Sequence, residues 1–262
     1  MTSGTAARSG VRLDQALVDR GLVESRAKAQ SLILAGLVFS GDRRLDKAGL
    51  RVGEETPLTI KGAPHPWVSR GGIKLEHGLG HFAIDPTGAV CIDVGASTGG
   101  FTDVLLAGGA ARVYAVDVGH GQLAWKLRKD PRVVVLERTN ARHLDRAHVP
   151  EPVDLVVCDA SFIPLRLVLP AALALTRAQA RLVALVKPQF EVGRAQIGKH
   201  GVVHEPSART AACRAVADWL ATLPGWKVDG IVESPIRGPE GNVEFLIAAH
   251  RGDIADGNGA IN

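Results

Sequence analysis

One stretch decides the fold: Val90-Cys91-Ile92-Asp93-Val94-Gly95-Ala96-Ser97-Thr98-Gly99-Gly100-Phe101-Thr102-Asp103-Val104-Leu105-Leu106. It begins with an apolar run that ends at an acid, continues through a loop of small residues and closes with an amphipathic run. This pattern predicts a strand, a tight turn and a helix. In α/β sheets such a turn receives a nucleotide-like ligand, because small side chains let the ligand approach the backbone and the first helical turn presents unpaired N–H groups.

Two classes of cofactor use such a turn, and its spacing separates them. A dinucleotide site has the form G-x-G-x-x-G, which places a helix N-terminus at a pyrophosphate. Here the third position counted from Gly95 is Ser97, Gly99 and Gly100 are adjacent, and Asp93 stands two residues before the loop. A carboxylate at that position favours a ligand with a cationic amino-acid portion, such as S-adenosylmethionine. The alternative is an ordinary strand-to-helix turn whose glycines serve packing.

A second acid supports the cofactor interpretation. Residues 112–117 predict the next strand, which ends in Asp117, 24 positions after Asp93. A carboxylate there can accept two hydrogen bonds from a ribose diol. We therefore expect Asp117 at the ribose. The residues expected around the methionine end are Asp93, Gly95, Ser97, Gly99 and Phe101.

Length and composition limit the class of protein. The chain has 262 residues, 46% of them hydrophobic, which suits one large or two modest domains with a sizeable core. No apolar run approaches the roughly 20 residues that span a bilayer, and the polar first ten residues hold no signal-peptide apolar region. The expected location is the cytoplasm, without membrane contact.

Cysteine and histidine usage indicates neither disulfides nor a metal site. Cys91, Cys158 and Cys213 form no C-x-x-C pair, and two of them fall in predicted strands, so we expect buried thiols. The nine histidines are scattered without ligand spacing, and no metal is expected.

The positive charge of the chain lies in its N-terminal part. The net charge is +4, but residues 1–74 hold 12 Lys and Arg against 7 Asp and Glu, whereas the remainder holds 19 against 20. This asymmetry indicates a polyanionic partner. The basic side chains there lie at predicted helix starts and turns, where they can follow a phosphate backbone without reading bases. The residues expected to bind such a polyanion are Arg12, Arg20, Arg26, Lys28, Arg43 and Arg44.

Residues 11–60 predict a small module with helices at residues 13–19 and 25–34 and short strands around residues 37–39 and 58–60. This segment resembles the RNA-binding module named after the ribosomal small-subunit protein S-four. The resemblance is carried by Arg12-Leu13-Asp14, Gly21-Leu22, Ser25-Arg26, Ala29 and Gly36-Leu37-Val38-Phe39-Ser40-Gly41. The family's usual hydrophobic-Val-Asn-Gly turn appears here as Val38-Phe39-Ser40-Gly41. A helical packing module with a solvated charged face is the alternative.

The rest of the chain predicts an α/β fold. After a helix from residue 71 to about 82, strands alternate with helices six times before a closing strand that follows only a loop. The apolar runs are nearly continuous, which is typical of a parallel sheet covered on both faces. This order matches the Rossmann-like, seven-stranded methyltransferase sheet with its antiparallel last strand. The predicted strands are residues 90–94, 112–117, 133–136, 153–159, 180–187, 226–232 and 243–249, and the later helices are residues 122–129, 165–175 and 208–221.

Four charged residues are candidates for catalysis. Asp159 and Lys187 end their predicted strands, and Glu244 lies near the start of the antiparallel one, so these three meet at one edge of the sheet. Lys74, on the preceding helix, can reach them from outside. A surface ion pair and a strand-end cap are the alternative interpretation.

In order and context, Lys74, Asp159, Lys187 and Glu244 resemble the Lys-Asp-Lys-Glu tetrad of the FtsJ-like 2′-O-ribose methyltransferases. The wider runs are similar to the TlyA family, whose members are often labelled haemolysins, and the similarity covers roughly residues 11–250. These runs are residues 67–75 (WVSRGGIKL), 93–102 (DVGASTGGFT), 186–191 (VKPQFE) and 241–245 (GNVEF).

The resemblance implies an S-adenosylmethionine-dependent enzyme that methylates cytidine 2′-hydroxyls in 16S and, in many members, 23S rRNA within ribosomal subunits. In actinobacteria it implies a link to capreomycin sensitivity. It implies Lys187 as the base or hydroxyl activator, oriented by Asp159 and Glu244, with Lys74 near the target ribose or phosphate. We expect a monomer or weak dimer. The expected division is a disordered tail at 1–10, the RNA-binding domain at 11–60, a linker at 61–70, the methyltransferase domain at 71–250 and a disordered tail at 251–262.

Three other functions compete with this interpretation. A membrane-lytic protein needs a long apolar helix, an amphipathic insertion segment or barrel strands, and none is visible in the sequence. An RNA-binding ribosome-assembly factor with a vestigial cofactor site has no need to keep Asp93, Asp117 and the tetrad. A NAD-linked dehydrogenase lacks its G-x-G-x-x-G.

Overall fold

The computed structural model describes residues 10–23, 25–61, 65–238 and 240–252. It divides the chain into two compact units, residues 1–66 and 67–262. The division falls inside the predicted linker at residues 61–70. The predicted tails lie outside the described residues, except for Gly10 and residues 251–252. Arg251 closes the last strand, one residue beyond the predicted domain end.

The described residues of the N-terminal unit form two helices and five very short strands. Leu13, Leu17, Ala29, Ile33 and Val38 form its core. The second helix starts one residue later than predicted, because the Ser25 side chain caps it by accepting a hydrogen bond from the Lys28 N–H at 3.2 Å. The elements in chain order are β1 (Val11–Arg12), α1 (Leu13–Asp19), α2 (Arg26–Leu34), β2 (Val38–Ser40), β3 (Arg43–Arg44), β4 (Arg51–Val52) and β5 (Thr59–Ile60). Strands β1 and β4 pair, and β2 lies between β3 and β5.

The C-terminal unit alternates strands and helices, as predicted. Its helices are α3 (Gly71–His81), α4 (Gly100–Ala107), α5 (Trp125–Arg128), α6 (Leu165–Val168), α7 (Pro170–Ala174), α8 (Pro188–Glu191) and α9 (Pro206–Thr222). Its strands are β6 (Val90–Val94), β7 (Arg112–Val116), β8 (Val133–Leu136), β9 (Val153–Cys158), β10 (Thr176–Val186), β11 (Trp226–Glu233) and β12 (Phe245–Arg251).

The seven strands form one sheet in the order β11-β12-β10-β9-β6-β7-β8. Strand β12 is antiparallel to both of its neighbours, and the other described pairings are parallel. The predicted seven-stranded sheet with an antiparallel last strand is therefore confirmed. Helices cover both faces over two hydrophobic clusters, and all three cysteines are buried free thiols, as expected.

Several predicted element bounds were wrong, for local reasons. The helix predicted at residues 165–175 is two helices, because Pro170 has no N–H and starts a new helix. Strand β10 begins at Thr176, four residues early, with an irregular register between Thr176 and Arg181. The helix predicted at residues 122–129 is only the four-residue α5. Among the described residues, no helix has the length and apolar content to cross a membrane.

Candidate active site

The sheet topology gathers the predicted catalytic residues at one edge. Asp159 directly follows β9, Lys187 directly follows β10, and Glu244 directly precedes the antiparallel β12. Because β9, β10 and β12 are neighbours, the carboxyl ends of the first two lie beside the amino end of the third. Lys74, on α3, reaches the same place.

The four residues form two ion pairs. Lys74 Nζ lies 2.5 Å from Glu244 Oε2, and the two side chains are only 8% and 1% exposed. Lys187 Nζ lies 2.6 Å from Asp159 Oδ1. The resemblance implies that both Asp159 and Glu244 orient Lys187. In the structure the ionic partner of Lys187 is Asp159, and the ionic partner of Glu244 is Lys74.

Lys187 is held by oxygens from the loop after β9. Its amine donates to the Asp159 carbonyl at 3.2 Å and to Ser161 Oγ at 2.8 Å. The Lys187 backbone is extended, as is typical of a residue before proline, and Pro188 begins α8. Ser161 was not among the residues predicted from the sequence. Its signal was a hydroxyl two residues after a strand-ending acid, within the loop that follows a parallel strand.

Neighbouring loops contact both the backbone and the side chain of Glu244. Its carbonyl accepts from the Ser234 N–H at 2.9 Å, and a Cβ on Gly238 would lie 2.5 Å from Glu244 Oε1. Asn242, two residues earlier and buried, accepts from the Val203 N–H at 3.0 Å and donates to the Gly201 carbonyl at 2.9 Å. This amide connects the loop before α9 to the segment before β12 that contains Glu244.

An exposed aromatic side chain lies next to the Lys187 site. Phe162 follows Ser161 directly, is 90% exposed and has a left-handed backbone with φ of 65°. Its ring centroid lies 5.1 Å from that of Phe190, three residues after Lys187. A large apolar side chain that is exposed to solvent beside a charged site is unusual, and Phe162 was not predicted from the sequence as a functional residue.

Asp93 at the end of β6 is completely buried. Its Oδ2 accepts from the Thr102 N–H at 2.9 Å and from the Thr102 hydroxyl at 2.7 Å, whereas its Oδ1 has no hydrogen-bond partner among the residues that the structure describes. Burial, with a smaller contribution from the negative charges of Asp159 and Asp117, raises the pKa of Asp93 to about 7, although the Thr102 hydrogen bonds oppose this.

This raised pKa predicts a pH-dependent stability. The unfolded carboxyl has a pKa of about 3.9, so between pH 4 and pH 7 the folded chain binds the extra proton, and the contribution of Asp93 to stability is lost as the pH rises through 7. For the ligand-free protein we expect the free energy of unfolding to fall with pH, by at most about 1.4 kcal/mol per unit from this group. Urea unfolding at pH 5, 6, 7 and 8 should show a shallower slope in Asp93→Asn. Equal slopes in the two proteins would contradict the assignment.

The turn after β6 approaches the neighbouring strands closely. Gly95 has φ of 83°, and a Cβ there would lie 3.0 Å from the backbone nitrogen of Ala160. Gly99 has φ of 96°, and a Cβ there would lie 2.3 Å from a Leu127 methyl group. Both positions therefore require glycine. Phe101 is buried in the core cluster that contains Leu75.

Asp117 and Ser97, two predicted cofactor residues, are brought together. Asp117 Oδ2 accepts from the Ser97 N–H at 2.8 Å, and its Oδ1 accepts from the Gly119 N–H at 2.7 Å. The carboxylate keeps further acceptor positions in a partly exposed setting. The unpartnered Asp93 oxygen and this carboxylate flank the turn, and they fit a ligand with an ammonium group and a ribose diol.

The predicted RNA-binding residues of the N-terminal unit are exposed but differ in their contacts. Arg20 donates three hydrogen bonds to the carbonyls of Gly53, Glu54 and Thr56 and so braces the end of α1. Arg12 and Arg26 both bind the buried Asp14. Lys28, Arg43 and Arg44 are exposed. Within the described part of the chain, no group of three or more His, Cys, Asp or Glu side chains could hold a metal ion.

The sheet order, the single antiparallel strand, the glycine turn and the two strand-ending acids define the class of S-adenosylmethionine-dependent methyltransferase folds. Comparison with known families agrees: the FtsJ-like methyltransferase model matches residues 67–251 and the S4 domain model matches residues 11–57. The 16S/23S rRNA (cytidine-2′-O)-methyltransferase TlyA of Mycobacterium tuberculosis is 52% identical over 237 residues, which cover 90% of this chain and 88% of that protein. The chain belongs to the FtsJ-like methyltransferase family, in the group that contains TlyA.

Two hemolysin-named proteins are also similar. Hemolysin A of Brachyspira hyodysenteriae is 37% identical over 241 residues, which cover 90% of this chain and 98% of that protein. A solved structure of a hemolysin-named protein from Streptococcus thermophilus has a TM-score of 0.71 at 42% identity and covers 94% of this chain and 90% of that one. The similarity therefore extends over both units.

Proposed function

We propose that this chain transfers a methyl group from S-adenosylmethionine to the 2′-hydroxyl of a cytidine in 16S rRNA, 23S rRNA or both, within ribosomal subunits. The observation that carries the proposal is the Lys187 amine, held by Asp159 and Ser161 at the sheet edge beside the cofactor turn. The printed activity of the M. tuberculosis relative supports the same reaction. An rRNA substrate implies a cytoplasmic location for this activity. We also propose that the protein is a monomer or a weak dimer.

The residues that would hold the cofactor follow from the acceptor positions that the Asp93 and Asp117 carboxylates keep beside the turn. We assign the buried Asp93 to the ammonium group, Asp117 to the ribose diol, and the backbone of residues 95–99 to close contact with the ligand. When bound, S-adenosylmethionine supplies an electrophilic methyl group on a sulfonium. The carboxylates of the chain favour such a cationic ligand.

Lys187 activates the acceptor. A ribose hydroxyl is a poor nucleophile, so it needs a positioned partner, and such a base contributes about 10²- to 10⁴-fold. In its neutral form the Lys187 amine accepts the hydroxyl proton, and in its charged form it holds the oxygen by a hydrogen bond. Asp159 and Ser161 orient the amine. Lys74, whose charge is balanced by Glu244, lies next to the target ribose or phosphate.

We propose that the exposed Phe162 ring stacks on a nucleobase near the target. Base–aromatic stacking contributes about 1–3 kcal/mol. Phe162→Ala should therefore raise the KM for ribosomal subunits by about 5- to 160-fold and leave cofactor affinity unchanged. Steady-state methyl transfer with Leu167→Ala as a control for an exposed apolar residue tests this. A KM equal to that of the wild type would refute it.

The function is tested by transfer of labelled methyl from S-adenosylmethionine to isolated small subunits, large subunits and naked rRNA. We expect label in RNA, and the subunit that accepts it identifies the substrate. Cofactor binding without label in any RNA would contradict the proposal and favour an assembly factor. If the activity is present, its loss should lower sensitivity to capreomycin, as the family resemblance implies.

A further inference from the structure

The start of α1 holds a fully buried carboxylate surrounded by donors. Asp14 Oδ1 accepts from Arg12 Nε and from the Gln15 N–H, both at 3.0 Å. Its Oδ2 accepts from Arg12 Nη2 and Arg26 Nη2 at 3.0 Å and from Gln30 Nε2 at 2.9 Å. Asp14 itself has no exposed surface. The hydrogen bond from Arg12 is the main reason that the pKa of Asp14 lies well below its usual range.

The two arginines are brought together from different elements. Arg12 belongs to β1, and Arg26 is the first residue of α2. Their Nη2 atoms are no more than about 6 Å apart, because both lie 3.0 Å from the same Asp14 oxygen. This spacing suits simultaneous contact with one phosphodiester, whose two free oxygens are the acceptors that guanidinium groups match best.

Both guanidinium groups keep donors for a ligand. An arginine has five N–H donors. Asp14 uses two from Arg12 and one from Arg26, and the two side chains are 50% and 51% exposed. Their remaining N–H donors are thus accessible, while the Asp14 carboxylate fixes the orientation of each guanidinium group.

We propose that Asp14 is a positioning residue that holds Arg12 and Arg26 as one site for an RNA phosphate. The inference rests on the proposed function, since the ligand is the substrate RNA. Asp14 makes no contact with RNA in this account. It lowers the freedom of the two side chains before RNA arrives, so less conformational entropy is lost on binding.

If only charge mattered, neutralising Asp14 would raise the affinity for RNA. The direction of the change in RNA affinity therefore tests the inference. A carboxylate beside two arginines reduces the attraction of the site for a polyanion. If Asp14 served only the local structure of α1, its neutralisation would leave RNA affinity unchanged or raise it. If it positions the arginines, the same neutralisation must lower the affinity.

The test compares Asp14→Asn with Asp19→Asn, which removes the same charge from the same helix. Asp19 is exposed and accepts a hydrogen bond from Gln15, with no arginine among its described contacts. Binding of isolated small and large subunits and of naked rRNA is measured at fixed salt, together with methyl transfer. We expect Asp14→Asn to bind RNA about tenfold more weakly, with a higher KM for methyl transfer and little change in kcat. Asp19→Asn should bind RNA as tightly as the wild type or slightly more tightly. Binding by Asp14→Asn that equals or exceeds the wild type overturns the inference.

A second variant covers the case in which Asp14→Asn does not keep the N-terminal unit folded, which limited proteolysis would show. The double variant Arg12→Lys/Arg26→Lys keeps both charges but removes the forked geometry. We expect the same loss of affinity, and wild-type binding by this variant overturns the inference. A wild-type protein that binds no RNA in any form would instead contradict the proposed function.

Discussion

Lys187→Ala is expected to lower methyl transfer at least about a thousandfold while S-adenosylmethionine still binds with an affinity close to that of the wild type. The substitution removes the amine that we propose to hold or deprotonate the 2′-hydroxyl, and positioned acid–base groups contribute about 10²- to 10⁴-fold. Misalignment of the acceptor adds to the loss. Single-turnover transfer and calorimetric titration of the cofactor measure the two quantities separately.

The matched control is Lys227→Ala, which removes an exposed lysine from β11 of the same sheet. It should leave transfer unchanged. Thermal unfolding of both variants shows whether loss of the partner of Asp159 has disturbed the fold. Near-normal turnover by Lys187→Ala would refute its assignment as the activating group.

Glu244→Ala is expected to be strongly destabilising as well as inactive. It leaves the Lys74 ammonium, only 8% exposed, without its carboxylate, and breaking a buried ion pair from one side costs about 3–5 kcal/mol. Urea unfolding should show a loss of this size in the free energy of unfolding. A loss below about 1 kcal/mol would show that the pair behaves as a surface ion pair.

The double variant Lys74→Met/Glu244→Leu separates stability from function. Replacing a buried pair by apolar side chains of similar volume is often neutral or stabilising, so most of the stability should return. Methyl transfer should remain absent, because the Lys74 charge that we propose to lie beside the target nucleotide is gone. Recovery of activity together with stability would show that the pair serves folding alone.

The fold of the C-terminal unit was predictable because its signals are local. The strands containing Ile92, Val134 and Val156 are nearly uninterrupted apolar runs bounded by polar or glycine-rich loops, and the sheet order follows from their alternation with helices. Strands β1, β3 and β4 were missed, because two-residue strands have no period to detect and exist only through their pairing partners. Pro170 is present in the sequence, but the prediction wrongly ran one helix through it instead of ending one helix before it and starting another.

The sequence predicted which residues meet at the candidate site, but not which of their side chains pair. Asp159, Lys187 and Glu244 had to meet there, because strand ends in a known topology share an edge. Which carboxylate pairs with which lysine depends on side-chain reach across β9, β10 and β12, and no sequence pattern encodes it. For the same reason the sequence does not show that Thr102 binds one oxygen of Asp93 and leaves the other without a partner among the described residues.

The central claim is that this chain places a methyl group on a cytidine 2′-oxygen through Lys187. It is tested most directly by incubating isolated subunits with deuterium-labelled S-adenosylmethionine and the wild type or Lys187→Ala, then analysing the RNA nucleosides by mass spectrometry. The account predicts labelled 2′-O-methylcytidine with the wild type and none with the variant. Label on a base, on another nucleoside or in equal amount with Lys187→Ala would contradict it.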